Sequence, residues 1–144
     1  MIALYTIAGE LERIGDYAEG IAKITTSISA EALLKPLIDI PRMADRARTM
    51  LDLSLHSLVT HNITLAAQVC KDDDQLDALY NQVYRELLLF MLQDPTTIKR
   101  ATYLLWVAHD LERIGDRATN IAEPAIYLVT GEMEDRNTGK AVLS

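Results

Sequence analysis

The chain has 144 residues, 49% of them apolar, and carries 21 Asp and Glu against 14 Lys and Arg for a net charge of -7. That is apolar content enough for one domain or a short tandem with a real core, and it leaves no basic stripe to meet nucleic-acid phosphates. The single cysteine, Cys70, excludes an internal disulfide and a Cys-rich zinc site and fits a reducing cytoplasm.

No apolar run approaches the roughly eighteen residues of a membrane span, and the N-terminus has neither the basic start nor the small-residue cleavage site of a signal peptide. The expectation is a cytoplasmic chain, peripheral at most to a membrane, whose partner is a cation or a basic protein surface. Gly, Pro and aromatics are few, while Leu, Ala, Ile, Glu and Asp dominate, which predicts an all-α fold.

Residues 2 to about 33 read as one long helix that begins without an N-cap. A linker over residues 34–40 follows, with Pro36 ending the first helix and Asp39 and Pro41 opening the second. The second helix runs to about residue 60, with Met43, Ala47, Met50, Leu51, Leu55 and Leu58 on one stripe. His61-Asn62 breaks it, Asn62 serving as the next N-cap. The third helix spans about 63–93, with Leu76, Leu79, Tyr80, Val83, Leu87 and Phe90 facing the core. Asp94-Pro95-Thr96 makes a tight turn, with Thr96 or Thr97 as the following cap. The fourth helix continues to about 129–130, where Gly131 fits a C-cap. A polar tail, 132–144, is expected to fray.

One stretch organises this pattern. Leu11-Glu12-Arg13-Ile14-Gly15-Asp16 returns unchanged as Leu111-Glu112-Arg113-Ile114-Gly115-Asp116, and Ala18, Ile21 and Ala22 are answered by Ala118, Ile121 and Ala122. Such self-similarity marks duplicated units. Short loops make sequence neighbours antiparallel, so helices two to four form a three-helix bundle ending in the hexapeptide helix. The first helix then reads as the last helix of an earlier bundle whose first two helices are not in the chain. The alternative is that it docks as a fourth helix of a single bundle.

Glu and Asp four apart in the hexapeptide lie on one side of their helix, where like charges repel by roughly 0.2–0.5 kcal/mol. Using the pair twice suggests a positive charge over it. The turn at Asp94 sets the register of helices three and four, which brings Asp77 level with Glu112 and Asp73 level with Asp116. Asp73 and Asp77 are themselves four apart. Asp72, Asp74 and Asn120 stand nearby. Four converging carboxylates suit Fe(III), Mn(II), Mg(II) or Ca(II), or a carboxylate-bridged cluster, and Zn(II) less readily. The other reading is a solvated acidic face balanced by Arg13, Arg113 and Arg117. Gly15 and Gly115 cost about 1 kcal/mol each against Ala in a helix interior, so each vacated side chain makes room either for an ion or for a neighbouring helix. Glu12 and Asp16 have no counterpart pair in the chain, and a site there would be half-built.

No Glu-x-x-His of a di-iron bundle occurs, and no Ser-His-Asp order, Gly-rich phosphate loop or Cys-His pair is visible. The chain does not read as an enzyme. His109 reads as a surface or packing residue and Cys70 as a small core residue. Residues 87–92 and 103–108 are apolar on every side, which predicts cover from a partner or from packing in the bundle.

These residues resemble the PhoU family of phosphate-uptake regulators. The likeness runs from the first helix through Glu134 and rests on the two hexapeptides, on the continuation through Asn120-Ile121-Ala122 and on Asp73-x-x-x-Asp77. It implies tandem three-helix bundles of long antiparallel helices, the first represented only by its last helix. The units would be residues 1–36, a complete repeat over 37–131 and the tail 132–144. It further implies multinuclear iron or zinc clusters, with Mn or Mg as other occupants, on Asp73, Asp77, Glu112 and Asp116 and, as a second site, on Glu12 and Asp16. The implied role is negative regulation of the phosphate-starvation response through contact with the phosphate ABC transporter and the sensor histidine kinase, as a homo-oligomer such as a dimer. Two other readings stay open: an accessory domain of another transporter, and a metal-dependent oxidoreductase or hydrolase on a helical bundle.

Overall fold

The computed structural model describes the backbone of residues 2–32, 34 and 38–143 and the side chains of residues 4–32, 34 and 38–127. Four helices follow one another: α1 Ile2–Ile28, α2 Asp39–Thr60, α3 Ile63–Gln93 and α4 Ile98–Leu143, with a 3-10 turn at Pro95–Thr97. No strand occurs among the described residues.

The helix ends have local causes. α1 stops short of the expected residue 33 because 24–29 is a run of β-branched and hydroxyl residues. Thr25, Thr26 and Ser27 each donate a side-chain hydrogen bond to the carbonyl four residues back, which bends and weakens a helix. Pro36, the expected stop, lies outside the described residues. At the end of α2, His61 takes the left-handed conformation (φ 52°), and the Asn62 N–H donates to the Ser57 carbonyl at 3.0 Å, a Schellman closure. Asn62 then caps α3, its Oδ1 accepting from the Leu65 N–H at 3.2 Å, as the sequence predicts. In the next turn Asp94 caps the 3-10 segment Pro95–Thr97. Asp94 Oδ1 accepts from the Thr96 N–H and hydroxyl, bonds that hold its carboxyl below the ordinary range. Thr97 is buried and its hydroxyl donates back to the Phe90 carbonyl at 3.0 Å.

Gly131 does not end α4. The helical backbone runs on to Leu143, through the stretch expected as a frayed tail. No proline follows Gly131, and Glu132, Met133, Glu134 and Arg136 favour helix, which offsets the cost of one interior glycine. Pro124 sits inside α4 without ending it.

Among the described residues α2, α3 and α4 pack pairwise, while α1 meets α4 alone. The core of the three-helix unit is Met43 and Met50 from α2, Val69, Leu76, Val83 and Leu87 from α3, and Ile121 from α4, all fully buried. Each such side chain contributes about 1.5–3 kcal/mol relative to exposure. The α2 stripe departs from expectation near its end. Ser54 and Ser57 are fully buried there, each satisfied by a carbonyl of its own helix, whereas Leu55 and Leu58 are only partly covered.

α1 lies against α4, where Ile14 adds to the same buried cluster. It turns Ile7, Glu10 and Ile14 against α4 and leaves another face open. Leu4, Ala8, Leu11, Gly15, Ala18 and Ala22 are exposed. Their identical copies Leu104, Ala108, Leu111, Gly115, Ala118 and Ala122 in α4 are buried. The two helices run antiparallel. Arg113 reaches Tyr17, Asn120 reaches Glu10 and Lys99 reaches Glu31.

Candidate functional site

The α3–α4 register brings three of the expected ligands together. One carboxylate oxygen from each of Asp73, Asp77 and Asp116 lies within 4.8 Å of the others, the spacing of a set that could hold one cation. Asp73 and Asp77 are stacked one turn apart on α3, and Asp116 faces them from α4. Gly115 makes this approach possible. A Cβ there would overlap Cδ2 of the fully buried Leu76 and would sit 3.4 Å from Asp73 Oδ1. The glycine therefore makes room for a neighbouring helix and, at the same place, for a ligand oxygen.

Glu112, the fourth expected ligand, stands at the edge. Its Oε2 lies 3.7 Å from His109 Nδ1. Arg113 Nε donates to His109 Nε2 at 2.9 Å, which leaves Nδ1 to carry the proton toward Glu112. The ring also lies 6.0 Å from that of Tyr80. His109 is thus a packing residue, as expected, and one that positions Glu112.

Electrostatics make the cluster costly. Burial, then Asp77 and Asp116, push Asp73 up to about 6. Burial followed by Asp116 raises Asp77, and burial with Asp116 and Asp77 raises Glu112. Burial also raises Asp116, against the opposing pull of Arg117 and Arg113. Oδ1 of Asp73 and of Asp77 is buried with no hydrogen-bond partner among the described residues. Buried anionic oxygens without donors are destabilising, and a divalent cation is the partner such an oxygen-only set fits best.

The remaining acidic residues are arranged otherwise. Asp72 turns away to Arg46 (3.4 Å) and Gln68 (2.9 Å), and Asp74 is exposed. Glu12 and Asp16 are exposed on α1 and belong to no carboxylate group of this kind among the described residues. Cys70 is half-buried rather than in the core, its thiol pushed up by burial and by Glu123.

Sequence reasoning missed Glu10. It is 8% exposed, and its Oε2 accepts from Arg117 Nη1 at 3.4 Å and Asn120 Nδ2 at 3.5 Å. The signal was present: Glu10 sits three and four residues from Ile7 and Ile14, a charge inside an apolar stripe. Arg113 is bound to α1 in the same way, 3.5 Å from the Tyr17 hydroxyl and 5.8 Å from the centre of its ring.

Long helices packed into a bundle, with a carboxylate cluster on the seam of two of them, define the class of scaffold. The PhoU-domain family model matches residues 40–125. The phosphate-specific transport system accessory protein PhoU homolog of Clostridium acetobutylicum is 40% identical over 131 residues, 91% of this chain and 60% of its own length. Homolog 2 of Thermotoga maritima is 41% identical over 126 residues, 88% of this chain and 54% of its own length. The crystal structure of PhoU from Pseudomonas aeruginosa matches with a TM-score of 0.86 at 32% identity, covering 90% of this chain and 63% of that one. The chain belongs to the PhoU family. It spans 54% to 60% of the length of these two curated relatives. Their names describe accessory proteins of a transport system, which is not an enzymatic role.

Proposed function

We propose that this chain is a non-enzymatic accessory regulator of phosphate transport that acts by protein contact and carries a structural or sensory metal site. The observation that carries the metal reading is the pair of buried, partnerless oxygens of Asp73 and Asp77 beside Asp116. Asp73, Asp77 and Asp116 would hold an iron or zinc ion or cluster, with Mn or Mg as weaker occupants, and Glu112 would complete the set. The metal would supply charge neutralisation and cross-link α3 to α4.

The regulatory reading rests on family membership and on the names of the relatives. It places the chain in the cytoplasm, in contact with the phosphate ABC transporter and the sensor histidine kinase, as a negative regulator of the starvation response. No helix among the described residues is long and apolar enough to cross a membrane. On the same reading α1 closes a second three-helix unit, whose hairpin would cover the open stripe and supply carboxylates to Glu12 and Asp16. Self-association is favoured by the apolar surface that Leu88, Leu89, Leu92 and Trp106 leave exposed.

The experiment is expression of this chain in a bacterium lacking its PhoU-type regulator, with a phosphate-starvation reporter read in phosphate-replete medium. Repression of the reporter by wild type, weakened by Asp77→Ala, supports both halves of the reading. A reporter that stays fully induced despite soluble expression counts against regulatory competence of these 144 residues.

A further inference from the structure

Two arginines of the motif helix face two ways. Arg113 and Arg117 flank Asp116, and their charges oppose the upward push on its carboxyl. The same two side chains hold α1: Arg117 Nη1 lies 3.4 Å from Glu10 Oε2, and Arg113 Nη1 lies 3.5 Å from the Tyr17 hydroxyl. Arg117 Nε is buried with no partner among the described residues, so its positive charge is only partly met. Glu10 is its carboxylate partner on α1, and Glu10 is itself buried and shared with Arg13 (3.7 Å) and Asn120.

An uncompensated guanidinium beside a cation site repels the cation, and a carboxylate behind that guanidinium cancels part of the repulsion. We propose that Glu10 of α1 is a positioning residue for the carboxylate cluster of α3 and α4, holding Arg117 and neutralising it so that the cluster can accept a divalent cation. This rests on the metal reading above. It makes the seat of α1 and the occupancy of the cluster two coupled equilibria. A cation at Asp73, Asp77 and Asp116 removes the attraction of Arg117 for Asp116 and commits the guanidinium to Glu10. Seating of α1 in turn raises cation affinity, since coupling between two sites is reciprocal. The first helix, whose own Glu12 and Asp16 join no carboxylate group of this kind among the described residues, would then act on the metal site from outside it.

The test is Zn(II) affinity by competition with a chromogenic chelator at low salt, on the whole chain, together with amide exchange of α1. Wild type is expected to bind, Glu10→Gln to weaken binding roughly five- to tenfold, and Arg117→Gln to strengthen it. In the Arg117→Gln background, the Glu10→Gln effect should shrink below about twofold, because its route has been removed. Glu19→Gln makes the same charge change on α1, at an exposed pair with Lys23, and should leave affinity unchanged. Added Zn(II) should slow amide exchange along α1 in wild type and not in Glu10→Gln. If Glu10→Gln loosens α1 yet binds Zn(II) as tightly as Glu19→Gln does, Glu10 serves packing alone and the coupling is overturned. Wild type that takes up no Zn(II) overturns the metal reading itself, and the coupling with it.

Discussion

Leu111 in α4 is 5% exposed, while Leu11, its copy in α1, is 38% exposed. Gly115 is buried against Leu76, and Gly15 has nothing within 4 Å of where a Cβ would stand. Asp116 joins two aspartates of α3, and Asp16 faces outward. The same six residues therefore sit in two environments, and the difference is the α2–α3 hairpin that covers α4 and has no counterpart over α1 among the described residues. The hexapeptide is a helix surface made to be covered: its glycine and alanines permit close approach, and its aspartate joins a carboxylate cluster only where another helix brings more. Local sequence specifies the face; the neighbour makes it a site.

Substitution in matched pairs sharpens this comparison most at the leucines. Leu111→Ala should destabilise the fold by about 2–5 kcal/mol, as buried leucines do, whereas Leu11→Ala should cost less than about 1 kcal/mol. Denaturant midpoints of the two variants give the answer, and equal losses would mean that the open stripe is covered in solution.

The glycines should differ in sign. Gly115→Ala forces Leu76 and its neighbours apart and should cost about 1–3 kcal/mol. Gly15→Ala meets open space and removes a weak point of the helix, a gain of about 0.5–1 kcal/mol. A loss at Gly15 matching that at Gly115 would break the distinction between the two copies.

The pH dependence around the cluster should be a smaller effect. Asp73 binds its proton more tightly in the folded protein, up to about 6, than in the unfolded chain at 3.8. The native state therefore holds more protons between those values, and metal-free stability falls as pH rises from about 4 to about 6. Asp73→Asn should flatten that fall and raise the melting temperature of metal-free protein at pH 7 by a few degrees.

Much of this was readable beforehand, for identifiable reasons. Pro41, His61-Asn62 and Asp94-Pro95 are strong stop and start signals, and they set α2 and α3 nearly to the residue. The short turn at Asp94 left little freedom in the α3–α4 register, so Asp73, Asp77 and Asp116 could be paired by distance from it. Rotamers were not legible: nothing local says that Glu112 leans to His109 rather than toward Asp77. Glu10 was hidden for a related reason, since its meaning lies in Arg117, 107 residues away. The run of α4 past Gly131 shows one glycine outvoted by the good helix formers after it.

The central claim is that α4's copy of the motif, with its hairpin, is a cation site and that α1's copy alone is not. The direct measurement is metal content after incubation with Zn(II) or iron and desalting, on wild type, Asp77→Ala, Glu112→Ala and the double variant Glu12→Ala/Asp16→Ala. Metal near or above one per chain is expected in wild type and in the double variant, lost in Asp77→Ala and sharply reduced in Glu112→Ala. Folded wild-type protein that retains no metal, or metal lost from the Glu12/Asp16 variant and kept by Asp77→Ala, would contradict it.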